Sequence, residues 1–123
     1  MMDFIGELHR IVSLSTVIFL GFLGIWGFVR SVRNNSVDGS YMGALVIGEL
    51  LLITQALLGL ILVIDGARPG RTVHFIYGAF ALVALPGLFA YLKGDDTNTS
   101  QWYFAIATLF LAGVAVRAIG TGA

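Results

Sequence analysis

Hydrophobic residues fill four long stretches of the chain, and charged residues separate these stretches. The uncharged runs span residues 11–29, 39–64, 72–92 and 97–116, with a single acid inside the second run. A helix of about 20 apolar residues, rising 1.5 Å per residue, crosses a hydrocarbon core of about 30 Å. The pattern therefore predicts four membrane-spanning helices, at about residues 8–30, 41–64, 72–92 and 99–119.

The segments between these helices are short, at residues 31–40, 65–71 and 93–100. Short connections force neighbouring helices to run antiparallel. We therefore expect an all-α, integral-membrane four-helix bundle with up-down-up-down topology. It forms a single transmembrane domain over residues 1–123, with both termini on one side of the membrane.

Composition agrees with a membrane protein and excludes several classes. Hydrophobic residues make up 58% of the chain and charged residues 11%, which is too apolar for a water-soluble domain. Seven basic residues balance seven acidic ones, so a nucleic-acid-binding surface is excluded. The chain has no cysteine, which excludes disulfides and thiolate chemistry. Any chemistry must lie in the bundle or at its rims, and the lipid bilayer is the expected surrounding.

Small residues recur at helical spacing in the first two predicted helices. Gly21, Gly24 and Gly27 follow one another every three residues in the first helix. Gly48 and Gly59 of the second helix share one narrow stripe with the amide of Gln55. Small residues in membrane helices let backbones approach, so we expect close helix packing along both stripes.

The two histidines lie at corresponding positions of the first and third helices. His9 comes just before the first uncharged run, and His74 comes just after the third begins. These helices run in the same direction and stand diagonally in a square bundle, so we expect both imidazoles to lie within about 6–8 Å of the same depth. Six-coordinate haem needs one imidazole on each side of its iron. The pair predicts axial ligation of one haem b per chain.

Other residues at the same end of the bundle suit a haem. Arg10, Arg68 and Arg71 could pair with the anionic propionates, and Gly78, one turn after His74, could clear space beside the ring. Each feature also has a structural explanation: interfacial or interhelical hydrogen bonding for the histidines, and membrane anchoring for the arginines. Two polar groups at one membrane level favour the bound cofactor.

The run Glu7-Leu8-His9-Arg10 resembles the E-x-x-H-R motif of the haem A synthase family. Gln55-x-x-Leu58-Gly59, followed by Pro69 and His74, resembles the order in which that family continues. The resemblance covers about residues 6–90. It implies that His9 and His74 are haem ligands, that Gln55 lies at the cofactor site, and that Glu7 falls on a glutamate implicated in oxidising a haem methyl group.

The chain also departs from that family, which has two related four-helix bundles where this chain has one. Synthase activity would therefore require a homodimer or a partner in a larger membrane complex. The resemblance implies a bacterial inner membrane location with the histidines and both termini facing the periplasm, which leaves Arg30, Arg33 and Lys93 in the cytoplasm, as the positive-inside rule favours.

Glu49 is a carboxyl group inside the second apolar run. An ionisable residue within a membrane helix is a candidate functional group. It could relay protons, bind a quinone, or pair with a residue such as Thr108.

Three functions of the protein stay open from the sequence. The first is a haem protein for electron transfer or haem handling, and the second is an accessory subunit of a respiratory or photosynthetic complex. The third is a proton-coupled carrier, which the small size of the chain does not favour.

Overall fold

The computed structural model describes residues 2–122, which form four α-helices in chain order. Met1 and Ala123, the ends of the predicted domain, lie outside the described residues. All four helices are long and apolar enough to span a membrane, which confirms the predicted fold class. The helices are α1 (Met2–Val32), α2 (Gly39–Ile64), α3 (Val73–Tyr91) and α4 (Asn98–Gly122).

Two helices extend further than the hydrophobic pattern predicts. α1 begins at Met2, six residues before the predicted start. Its first turns carry Asp3, which suits the positive end of the helix dipole, and a Glu7–Arg10 ion pair one turn apart. α4 continues to Gly122. The hydropathy pattern predicts where the chain leaves the lipid. A helix can continue beyond that point, because ion pairs and hydrogen bonds between neighbouring side chains stabilise it in water.

The helices stand at the corners of a square. α1 packs against α2 and α4, while α3 packs against α4 and, more sparsely, against α2. Among the described residues no Cα atom of α1 comes within 8 Å of one in α3, so these two helices are diagonal, as predicted. Large apolar side chains on every helix face outward, as a lipid surrounding requires.

Glycines allow α1 to approach its neighbours closely. A Cβ on Gly24 would lie 2.6 Å from Leu109 of α4, and one on Gly27 would overlap the Tyr41 hydroxyl of α2. A Cβ on Gly21 would meet no atom within 4 Å. Two of the three predicted contact glycines are therefore packed tightly, and the third faces outward.

A polar network joins α1, α2 and α4 at the end opposite the histidines. The Arg30 guanidinium donates from Nε to Gln101 Oε1 at 3.1 Å and pairs with Asp38, the N-cap of α2, at 3.3 Å. The Tyr41 hydroxyl donates to the Leu23 carbonyl at 3.2 Å and is fully buried. The Tyr41 ring fills the gap that Gly27 leaves.

The start of α4 is fixed by side chains of the preceding loop. The hydroxyls of Ser100 and Thr97 donate to the Asp95 carboxylate, at 2.6 Å for Ser100, and these hydrogen bonds hold the pKa of Asp95 below its usual value. The Asn98 amide donates to the carbonyls of Ser31 and Asn35. These contacts fasten α4 to the end of α1 and so set its position in the bundle.

Substituting Gly27→Ala should destabilise the bundle more than Gly21→Ala. Both changes add the same methyl group and the same gain in helix propensity, but only the first forces Tyr41 out of its site. Overpacking of this kind costs about 1–3 kcal/mol. Thermal unfolding in detergent should show a lower midpoint for Gly27→Ala and an unchanged or raised midpoint for Gly21→Ala. Equal midpoints would contradict the packing.

Candidate site between the two histidines

The imidazoles of His9 and His74 face each other inside the bundle. Their ring centroids are 6.4 Å apart and their planes cross at 73°. α1 and α3 share no close backbone contact, so the two side chains reach across the diagonal from opposite corners. The structure thus brings together the two residues that the sequence predicts at one membrane level.

Contacts from α4 fix the orientation of His74. Its Nδ1 lies 2.8 Å from the carbonyl oxygen of Ala118 and 3.3 Å from the Thr121 hydroxyl. A carbonyl oxygen can only accept, so Nδ1 carries the proton and the neutral ring leaves its Nε2 lone pair available. A hydrogen bond to main-chain carbonyl at the other ring nitrogen is typical of histidines that ligate metals.

His9 has a different surrounding, formed by α2. Its Nε2 lies 3.4 Å from the amide nitrogen of Gln55. Within residues 2–122 its Nδ1 is buried without a partner, and so is the Gln55 side-chain oxygen. The sequence predicted Gln55 at the cofactor site, and the structure places it beside His9.

Two glycines accommodate the imidazoles. A Cβ on Gly59 would lie 3.2 Å from Cε1 of His9, and one on Gly122 would lie 2.8 Å from Cε1 of His74. Gly78, the glycine proposed from sequence to clear space beside the ring, is exposed and has open space around its Cβ position. Gly122 was missed because it lies 48 residues from His74 in sequence, and no local pattern connects them.

The predicted arginines lie at the rim of this end without converging on one point. The Arg68 guanidinium donates hydrogen bonds to the carbonyls of Val63 and Ala67, and these bonds cap the C-terminal end of α2. Arg10 is exposed and bonded to Glu7. The main-chain N–H of Arg71 donates a hydrogen bond to the Thr121 carbonyl at 2.8 Å. The side chain of Arg71 is exposed and makes no hydrogen bond or ion pair within residues 2–122.

Glu7 lies on the outer surface of α1, away from His9. One residue separates Glu7 from His9 in this chain, whereas the motif it resembles has two. Residues two apart on a helix point in different directions, and residues three apart share a face. The shorter spacing therefore turns the Glu7 carboxylate toward Arg10 and away from the imidazoles.

Glu49 lies apart from the histidines, near the middle of α2. It is half-buried, and its Oε1 atom is buried without a partner. The Thr108 hydroxyl, which the sequence suggested as a partner, donates instead to the Phe104 carbonyl of its own helix at 2.8 Å. α2 and α4 stand on the other diagonal, which explains why the two side chains do not pair.

The chemistry of this site is compatible with haem but not with a metal ion held by protein alone. Within residues 2–122 no group of three or more histidine, cysteine, aspartate or glutamate side chains could hold a metal ion, and structural metal sites usually need four ligands. A porphyrin supplies four nitrogens of its own and needs two axial ligands.

The spacing of the rings also fits. Metal–imidazole bonds of about 2 Å on opposite sides of one ion put the ring centroids roughly 6 Å apart, close to the observed 6.4 Å. The unpartnered Nδ1 of His9 and the two glycine notches are further features of a site built around the rings. The residues present therefore fit an axially ligated haem.

The hydrogen bond to Ala118 makes a prediction about haem-free protein. When the ring is neutral, nitrogen-15 NMR should find His74 protonated at Nδ1 and bare at Nε2. Thr121→Ala should preserve this tautomer, because the main acceptor is a backbone carbonyl. A His74 ring protonated at Nε2 would contradict the arrangement.

Comparison of the chain with protein-family models, curated proteins and solved structures finds no match in any of the three. Inference about function therefore depends on the residues and geometry described above.

Proposed function

We propose that this protein is an integral-membrane b-type haem protein in which His9 and His74 ligate one iron and which transfers electrons within the membrane. The observation that carries the proposal is the meeting of the two imidazoles, 6.4 Å apart, inside the bundle. Polar rings are costly in lipid unless they bind something. Two of them at one level, reaching in from diagonal helices, are the donor set of a six-coordinate haem.

Each residue of the site has a distinct part in this function. His74 offers Nε2 from a ring that Ala118 holds in the required tautomer. His9 would offer its Nε2 as the second ligand, and its contact with the Gln55 amide would then have to break. At the rim, Arg71 would pair with a propionate without giving up a side-chain hydrogen bond within residues 2–122, whereas Arg10 would have to leave Glu7.

A bound haem would supply a one-electron couple between ferric and ferrous iron. The surrounding helices contribute an apolar medium that excludes water, and the hydrogen bond from His74 to the Ala118 carbonyl would limit movement of that ligand when the electron is gained or lost. Glu7 faces away from the rings, which favours electron transfer over the methyl oxidation that the haem A synthase resemblance implies. Synthase-like catalysis would need a second bundle.

The proposal extends to location and partners. The histidine end faces the periplasm of a bacterial inner membrane, so that Arg33 and Lys93 lie in the cytoplasm. A second copy of the chain or a larger membrane complex supplies the electron partner. A quinone is a suitable mobile carrier, since Glu49 offers an intramembrane carboxyl group without a partner.

Purified protein, supplied with haemin if needed, should give sharp α and β bands in its dithionite-reduced minus oxidised spectrum. His9→Ala and His74→Ala should each abolish this low-spin spectrum, because each removes an axial ligand. Haem affinity should fall at least about 100-fold for the loss of His74, given that outer-shell partners alone are worth 10–100-fold. Arg117→Ala, which removes an exposed side chain at the same end, should leave the spectrum unchanged.

Retention of the low-spin spectrum in both histidine variants would refute the proposal. A folded protein that takes up no haem at all would also refute it, and would favour the accessory-subunit function. In that case co-purification with a large membrane complex is the expected finding.

A further inference from the structure

The two imidazoles differ in how firmly the protein holds them. His74 is held by a 2.8 Å hydrogen bond to the Ala118 carbonyl, by the nearby Thr121 hydroxyl, and by the surface of Gly122. Its acceptor belongs to the backbone of a helix, so the ring cannot rotate without losing a bond in an apolar surrounding. Such a loss is unfavourable because it leaves a buried polar atom unpaired.

His9 lacks the corresponding anchor. Among residues 2–122 its Nδ1 is buried without a partner, and its Nε2 contacts the Gln55 amide nitrogen at 3.4 Å. Ligating histidines almost always donate the second ring N–H to an acceptor. Release of His9 from a metal would break no such bond, and the Gln55 amide would be available to receive Nε2 again.

The Gln55 amide also lies where a ligand taking the place of His9 would be. Its nitrogen lies 3.4 Å from His9 Nε2, the ring nitrogen that the proposed function assigns to the iron, and its oxygen has no partner among residues 2–122. An amide N–H at this position can donate a hydrogen bond to a small molecule bound in place of the imidazole. In the part of the chain that the structure describes, the polar partners of His74 are the Ala118 carbonyl and the Thr121 hydroxyl, and neither is a side-chain amide.

We propose that His9 is an exchangeable ligand and that the reduced protein binds small neutral diatomic molecules in its place, with Gln55 donating a hydrogen bond to them. This inference rests on the proposed haem function. In the exchange the bond from iron to His9 Nε2 breaks and the imidazole leaves as a neutral ring with its lone pair. The lone pair of the diatomic molecule forms the new bond, so no electron is transferred and iron stays ferrous.

Carbon monoxide is the probe for this exchange. Haem-loaded, dithionite-reduced protein is titrated with it, and both the visible spectrum and the infrared C–O stretch are recorded. The reduced bands should convert to those of a carbon monoxide complex. Gln55→Leu should shift the C–O stretch to higher frequency and weaken binding roughly fivefold, as loss of one hydrogen bond of about 1 kcal/mol predicts.

Thr54→Val is the matched control, because Thr54 is the preceding residue of α2, is exposed, and bonds only to the Leu50 carbonyl of its own helix among the described residues. It should leave both readouts unchanged. If Gln55→Leu fails to fold, Gln55→Asn shortens the side chain while keeping the amide, and it should shift the C–O stretch in the same direction.

The outcomes separate this inference from the proposed function. Low-spin reduced bands that carbon monoxide does not alter would overturn the exchange and leave the haem function standing. A carbon monoxide complex whose C–O stretch ignores both Gln55 variants would mean that the molecule binds on the His74 side, which also overturns the inference. A protein without haem would overturn both proposals.

Discussion

Close approach of α1 to its two neighbours is the contact on which the rest of this bundle depends. Gly24 lets Leu109 of α4 lie against the α1 backbone, and Gly27 does the same for Tyr41 of α2. With α1 fixed against both α2 and α4, α3 can only occupy the remaining corner. The diagonal relation of α1 and α3 follows, and with it the meeting of the two imidazoles.

Polar groups lie at both ends of the bundle. At the end opposite the histidines, Arg30 bonds to Gln101 and Asp38, and Asn98 bonds to the Ser31 carbonyl of α1. Interhelical hydrogen bonds of this kind hold helices in register. Within residues 2–122, His9 Nδ1 and the Gln55 oxygen at the histidine end are buried without a partner, and so is Gln101 Nε2 at the other end. Such unpartnered buried atoms cost free energy.

Much of this organisation could be predicted from the sequence. Uncharged runs located the four helices, short connections gave their order, and the equal depth of His9 and His74 followed from topology. The stripe of Gly48, Gln55 and Gly59 is confirmed as a face of α2 turned toward α1, since Gly48 lies against Phe19 and the other two against His9.

Other features depend on contacts between distant parts of the chain and could not be predicted. His74 packs against Gly122 and bonds to the Ala118 carbonyl. Both contacts form only when the C-terminal end of α4 packs against the N-terminal end of α3. Complete burial of Tyr41 depends on the vacancy at Gly27. In contrast, the outward position of Glu7 was available from sequence, because its spacing of two residues from His9 already places the side chains on different faces.

Electron paramagnetic resonance of the oxidised, haem-loaded protein tests the central claim most directly, because the ferric signal reports both the ligands and their mutual angle. Two imidazoles on one iron give a low-spin signal, and ring planes crossing near the observed 73° make that signal strongly anisotropic, with one dominant feature at high g value. A purely high-spin ferric signal would show that His9 and His74 do not both ligate the iron, and would contradict the account.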